Sequence, residues 1–148
     1  MRRVQPMLAT AGDLPTGRDW AYEFKWDGGR TLADSSTAGL TLTSRLGNDV
    51  TVAYPELAGL AEIADDVLLD GEIVSLVDGR PSFNALQSRM HVRKAVEARR
   101  LAAQAPVTYL AFDVLRLYGV DLTGRTFAER RATLVATAQT DATPEPGA

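Results

Sequence analysis

Apolar and polar positions along the chain fall into short runs whose period changes from segment to segment. Leu40-Thr41-Leu42-Thr43-Ser44 alternates strictly, the pattern of a half-buried strand. Val67 to Leu76 and Val107 to Leu117 are rich in apolar and branched residues and predict two buried strands, the first closed by Asp78-Gly79. Asp27-Gly28 lies between two further extended runs, Trp20 to Trp26 and Arg30 to Asp34. That arrangement predicts a hairpin, whose tight turn needs positive φ.

The helical stretches are short. Pro55 opens one through Leu57, Leu60 and Ile63. Ser82 is placed to cap a helix over Phe83 to Met90, with Phe83, Leu86 and Met90 on one face. Val92 to Gln104 is an arginine-rich helical stretch ended by Pro106. Thr126 and Glu129 have capping-box spacing and introduce a helix to about Ala138. Residues 1–19, with Pro6, Gly12, Pro15 and Gly17, predict an irregular lead-in; residues 140–148, with Pro144, Pro146 and Gly147, predict a disordered tail. Strands joined by hairpins and short helices, without a βαβ rhythm, predict an α+β fold: a largely antiparallel sheet with flanking helices, in one domain over residues 1–139.

Composition narrows the function more than the fold. A 148-residue chain that is 45% hydrophobic and 24% charged has the material for one ordinary core. Its net charge of −3 argues against a wholly basic nucleic-acid coat and leaves room for a local basic face. With no cysteine and His91 as the sole histidine, thiolate zinc sites and histidine-cluster metal sites are excluded. Neither a signal peptide nor a run of ~20 apolar residues is present, so no membrane association and a cytoplasmic location are expected.

Only two of the 16 basic residues are lysine, Lys25 and Lys94. An amine can lose its proton and attack an electrophile, which a guanidinium cannot do at working pH. Lys25 sits in Glu23-Phe24-Lys25-Trp26-Asp27-Gly28-Gly29-Arg30, where Arg30 would return beside it with a fork that matches phosphate oxygens. The plain alternative is a surface hairpin with a solvated lysine and arginine. Arg45 stands beside a glycine turn, and Asp70-Gly71-Glu72 places two carboxylates inside an otherwise apolar run. Those carboxylates either pair or coordinate something, or mark one wet strand face. Phe112 reads as core on composition alone.

Together these stretches resemble the N-terminal part of the adenylation domain of ATP-dependent DNA ligases, in the covalent nucleotidyltransferase superfamily. The closest group is the bacterial ligase C and ligase D type used in repair and end joining. The resemblance rests on Gln5 to Ala9, Tyr22 to Arg30, Ser44 to Asn48 with Tyr54 to Leu57, Leu69 to Val74, Arg80 to Met90, and Phe112 to Arg131, in the family's order. It implies that Lys25 attacks the α-phosphate of ATP and carries AMP, and that Glu23 lies near the adenine pocket. It further implies that Arg30 and Arg45 bind the ribose or phosphate side, Arg45 also meeting the nicked strand. Glu72 would lie near the ribose hydroxyls and the metal, with Phe112 beneath adenine. The implied cofactors are ATP and Mg²⁺ (or Mn²⁺), and the implied partner is nicked or broken double-stranded DNA in a bacterial, DNA-associated setting. Arg89, Arg93 and Lys94 join Arg45 as candidate DNA-binding cations; their plain alternative is a solvated helix face.

The family's later segments, a second glutamate motif, a paired-lysine motif and an OB-fold domain, are not found in these 148 residues. Losing one preorganised electrostatic group commonly costs ~10²–10³ in rate. The chain alone is therefore expected to be an incomplete domain, weakly active or inactive. The alternatives are a non-catalytic nucleotide- or DNA-binding remnant, and a half-domain that needs a partner chain supplying the later motifs.

Overall fold

The computed structural model describes residues 4–140. In chain order they form β1 (Gly29–Ser36), β2 (Gly39–Ser44), two 3₁₀ segments (Thr51–Ala53 and Pro55–Glu62), β3 (Val67–Val77), β4 (Arg80–Pro81), α1 (Phe83–Gln87), α2 (Ala95–Gln104), β5 (Val107–Leu117), β6 (Val120–Asp121) and α3 (Phe127–Thr140). All strand pairs are antiparallel, in the order β2-β1-β3-β5-β6, with β4 paired to the far end of β3. The α+β expectation holds.

β3 is the centre of the sheet, flanked by β1 and β5, and Val67 to Ser75 are buried except for half-buried Glu72. This is why its sequence lacks a clean alternation. Leu42, Leu57, Val67, Leu69, Ile73, Leu86, Val107, Val114 and Leu134 form the core between the sheet, the 3₁₀ segments and the helices. The helix after Ser82 ends at Gln87, three residues earlier than the apolar face suggests, and Ser88 to His91 form a turn. Ser82 caps it as expected, accepting from the Ala85 N–H at 3.3 Å. The Thr126–Glu129 capping box is also present: the Glu129 carboxylate accepts from the Thr126 N–H at 2.8 Å, and Thr126 Oγ1 accepts from the Glu129 N–H at 3.3 Å. A bidentate Arg130–Asp113 pair, 2.8 and 3.0 Å, then ties α3 to β5. α3 runs through Thr140, two residues beyond the expected end; the remainder of the expected tail, residues 141–148, lies outside the described residues.

Arg89 departs from expectation. It does not face solvent or DNA; it is fully buried. Its guanidinium donates to both Glu56 carboxylate oxygens and to the carbonyls of Ala53 and Ala105, each carbonyl at 2.8 Å, and lies 5.5 Å from the centre of the Tyr54 ring. Glu56 also accepts from the Val107 N–H at 3.1 Å. One ion pair therefore joins the 3₁₀ segments, the turn after α1, the end of α2 and the start of β5. Burial pushes the Glu56 carboxyl up, but hydrogen bonds from Arg89 and from backbone N–H groups outweigh it and hold the group below its ordinary value.

A buried pair with one member removed leaves an uncompensated charge. Arg89→Met is expected to lose about 3–5 kcal/mol in urea unfolding, and the double variant Glu56→Gln/Arg89→Met to recover part of that loss. An Arg89→Met chain within about 0.5 kcal/mol of the parent would show that the pair does not hold these elements together.

Candidate functional site

The segment before β1 is not the strand expected over Trp20 to Trp26. Residues 20–28 contain no strand, and Asp27-Gly28 is a bend at ordinary φ, not a hairpin turn. The physical reason lies in the pairing of β1, which gives one edge to β2 and the other to β3. No free edge remains for a preceding strand. The positive-φ Asp-Gly turn occurs instead at Asp78-Gly79, with φ of 51° and 75°. Gly28 is needed for close approach: a Cβ there would stand 2.1 Å from the Ile73 carbonyl oxygen and 2.9 Å from Val74. Its N–H hydrogen-bonds the Glu72 carboxylate. Lys25 is carried just ahead of this bend, on an exposed stretch within electrostatic reach of Glu72.

Arg30, at the start of β1, crosses to β3 and forms a bidentate pair with Asp70: Nε to Oδ1 at 2.6 Å and Nη2 to Oδ2 at 2.7 Å. Asp70 is buried, so the pair accounts for one of the two carboxylates in the apolar run. The Asp70 hydrogen bond raises the Arg30 pKa further, so the guanidinium is a fixed cation. Its carbon lies 4.6 Å from the centre of the Phe112 ring, which is half-buried on β5 and stacked with charge instead of sitting plainly in the core. Beneath them the Tyr109 hydroxyl donates toward the carbonyls of Thr31 and Leu69, at 2.9 and 3.3 Å, and burial pushes this phenol well above its ordinary value. Gly71 makes room for it, since a Cβ would fall 2.6 Å from the Tyr109 ring and from the Leu110 carbonyl oxygen.

These groups surround a cleft of about 500 Å³. Glu23, Lys25, Arg30, Arg45, Glu72 and Phe112, the six residues picked out from the sequence as nucleotide contacts, all line it. Met7, Leu8 and Trp26 line it too and were not named as contacts; their signal in the sequence is their place in the Gln5 to Ala9 and Tyr22 to Arg30 stretches that carry the family resemblance. A second lobe of about 480 Å³ shares Lys25, Trp26, Arg30, Arg45 and Glu72 and continues to Ser44, Asn48 and His91. Arg93 and Lys94 are exposed just before and at the N-terminal end of α2 and line neither lobe.

Comparison with known proteins places the chain that carries this cleft. Residues 6–145 match the family described as ATP dependent DNA ligase domain. The chain belongs to that family. It is 43% identical over 144 residues to DNA ligase C2 of Mycolicibacterium smegmatis, covering 95% of this chain and 40% of that protein. It is 35% identical over 154 residues to the bifunctional non-homologous end joining protein LigD of Bacillus subtilis, covering 97% of this chain and 25% of that protein. A solved structure of mycobacterial DNA ligase D complexed with ATP and MES superimposes with a TM-score of 0.65 at 37% identity, over 79% of this chain and 36% of that one. The expected fold, part of a ligase adenylation domain with an antiparallel sheet, is borne out. Among the described residues no helix is long and apolar enough to cross a membrane.

Burial is the largest influence on Glu72 and raises its carboxyl above the ordinary 4.5; Arg30, Lys25 and the Gly28 N–H pull the other way and do not cancel it. A raised folded pKa means that ionised Glu72 costs stability, and the cost sets in as pH climbs above about 4.5. Glu72→Gln keeps a carbonyl acceptor for Gly28 and removes the charge. Its melting temperature is expected to match the parent's at pH 4 and exceed it at pH 7. A lower melting temperature at pH 7 would mean that the cations more than repay the burial.

Proposed function

We propose that the chain forms the nucleotide-handling part of an ATP-dependent DNA ligase acting in repair or end joining, with Lys25 as the residue that carries AMP. The observation that supports this most is the convergence of six chemically suited side chains, from four separate stretches of sequence, on one cleft. A neutral Lys25 amine forms a nitrogen–phosphorus bond to the α-phosphorus while the bond to the β-phosphate oxygen breaks; pyrophosphate leaves and a proton passes to water. A 5′-phosphate oxygen at a DNA nick then displaces the lysine, and the 3′-hydroxyl displaces AMP to seal the strand.

The chain's residues divide the work by chemistry. Phe112, with Met7 and Leu8 in the lining of the same cleft, offers apolar surface to adenine, and Glu23 offers an acceptor to it. Arg30 is held by Asp70, so it presents charge without a reorganisation cost. Arg45 is exposed and meets phosphate, of the nucleotide or of the nicked strand. Glu72 faces the ribose hydroxyls. Lys25, Arg30 and Arg45 are balanced by Glu23, Glu72 and Asp70, so these groups alone supply little net positive field to a triphosphate. Among the described residues no group of three or more Asp, Glu, His or Cys is arranged to hold a metal. A single half-buried carboxylate nevertheless fits Mg²⁺ (or Mn²⁺), which takes one or two carboxylates and completes its shell with phosphate and water. Glu72 would hold it, and the ion would neutralise the phosphates. Arg93 and Lys94 suit salt-dependent contact with the DNA backbone; Arg89, being buried, does not.

The chain spans 40% of the length of DNA ligase C2, and nick sealing is proposed for the reaction that this region shares with the remaining ligase segments. Incubation with α-labelled ATP and Mg²⁺ is expected to leave weak covalent label on the 148-residue chain, stable to alkali and denaturing detergent and lost on warming in acid, as a phosphoramidate is. The label should vanish in Lys25→Ala and persist in Lys94→Ala, and the chain alone should not seal a nick. Label that survives Lys25→Ala would overturn the assignment. Binding of ATP without label would favour a nucleotide-binding role, and label only after adding a polypeptide that carries the later ligase segments would favour a half-domain completed by a partner.

A further inference from the structure

The second lobe of the cleft ends at a residue that the reading above leaves without a role. His91 closes the turn after α1 and is exposed, with its backbone at φ 68°. That left-handed conformation suits glycine best, and histidine is among the few other residue types that tolerate it. The turn is held from behind, because Arg89, two residues earlier, is buried in four kinds of contact with Glu56, Ala53, Ala105 and Tyr54. His91 is thus presented at a fixed place. It lines the same lobe as Ser44, Arg45 and Asn48, and the lobe opens directly onto Lys25. Asp27 and Glu72 are the carboxylates that line this lobe, and Glu72 is shared with the first lobe.

We propose that His91 is a phosphate-binding residue, donating an imidazole N–H to a phosphate group that occupies this second lobe beside Lys25. The inference rests on the ligase reading of the cleft and adds a residue to it. Neutral imidazole and imidazolium each carry an N–H donor, so the contact needs no particular charge state. Arg45 supplies the fork, and Ser44 and Asn48 supply further donors around the same volume. Two sources offer the required phosphate: the β- and γ-phosphates of the nucleotide, and the 5′-phosphate of the acceptor strand.

His91→Gly and His91→Asp separate side-chain chemistry from backbone need. Glycine relieves the left-handed strain and removes the donor; aspartate tolerates the same backbone and adds a repelling charge. Binding of adenosine, of ATP, and of nicked duplexes ending in 5′-phosphate or 5′-hydroxyl is measured on the 148-residue chain, alongside thermal melting. Adenosine affinity should be unchanged in both variants, and His91→Gly should melt no lower than the parent. The preference for the phosphate-bearing ligand should fall about 10-fold in His91→Gly and further in His91→Asp. A fall confined to ATP over adenosine assigns the lobe to the nucleotide tail; one confined to 5′-phosphate over 5′-hydroxyl assigns it to the acceptor. Both preferences surviving intact in His91→Asp would overturn the proposal, whatever the stability of the glycine variant, and leave the ligase reading standing. A parent chain that binds neither adenosine nor ATP would remove the reading and the inference together.

Discussion

The Arg30–Asp70 pair is the interaction on which the cleft depends. It joins the first residues of β1 to the middle of β3, places a permanent cation over Phe112, and gives a buried carboxylate the partner it needs. Because Asp70 is committed to Arg30, Glu72 is the β3 carboxylate left facing the cleft. Without that pairing the two acids would repel each other from neighbouring same-face positions. With it, one acid sets a guanidinium and the other stays half-buried, under-neutralised and available to a ligand.

Two glycines make this geometry possible by their lack of side chains. Gly28 lets the chain pass against the Ile73 carbonyl, so that Lys25 is delivered to the cleft by a bend and β1 begins where Arg30 reaches Asp70. Gly71 leaves room between Asp70 and Glu72 for Tyr109, whose hydroxyl bridges backbone carbonyls of β1 and β3. The cleft floor is therefore rigid where charge is fixed. Its wall formed by residues 7–9 and 23–25 is exposed and lies outside the sheet.

How legible this was varied with the range of the interactions concerned. β2, β3, β5 and the capped helix after Thr126 follow from local pattern, since alternation, branched runs and capping boxes act over a few residues. Trp20 to Trp26 failed because extended propensity does not make a strand without a free neighbouring edge. Asp27-Gly28 failed for a related reason: the dipeptide permits positive φ, but here glycine serves a contact with Ile73, 45 residues away in sequence. Arg89 was misplaced because its neighbours Arg93 and Lys94 suggested a basic face, whereas Glu56, its true partner, lies 33 residues earlier. The residues that line the cleft were singled out through family resemblance more than through pattern. Composition alone would have left Phe112 in the core and Lys25 in solvent.

A crystal structure of the chain with AMP tests the central claim most directly, because that claim is one of position. The account predicts the base against Phe112 and the Met7–Ala9 stretch, with its phosphate at the Lys25 amine between Arg30 and Arg45. AMP bound outside this cleft, or with its phosphate turned away from Lys25, would contradict it.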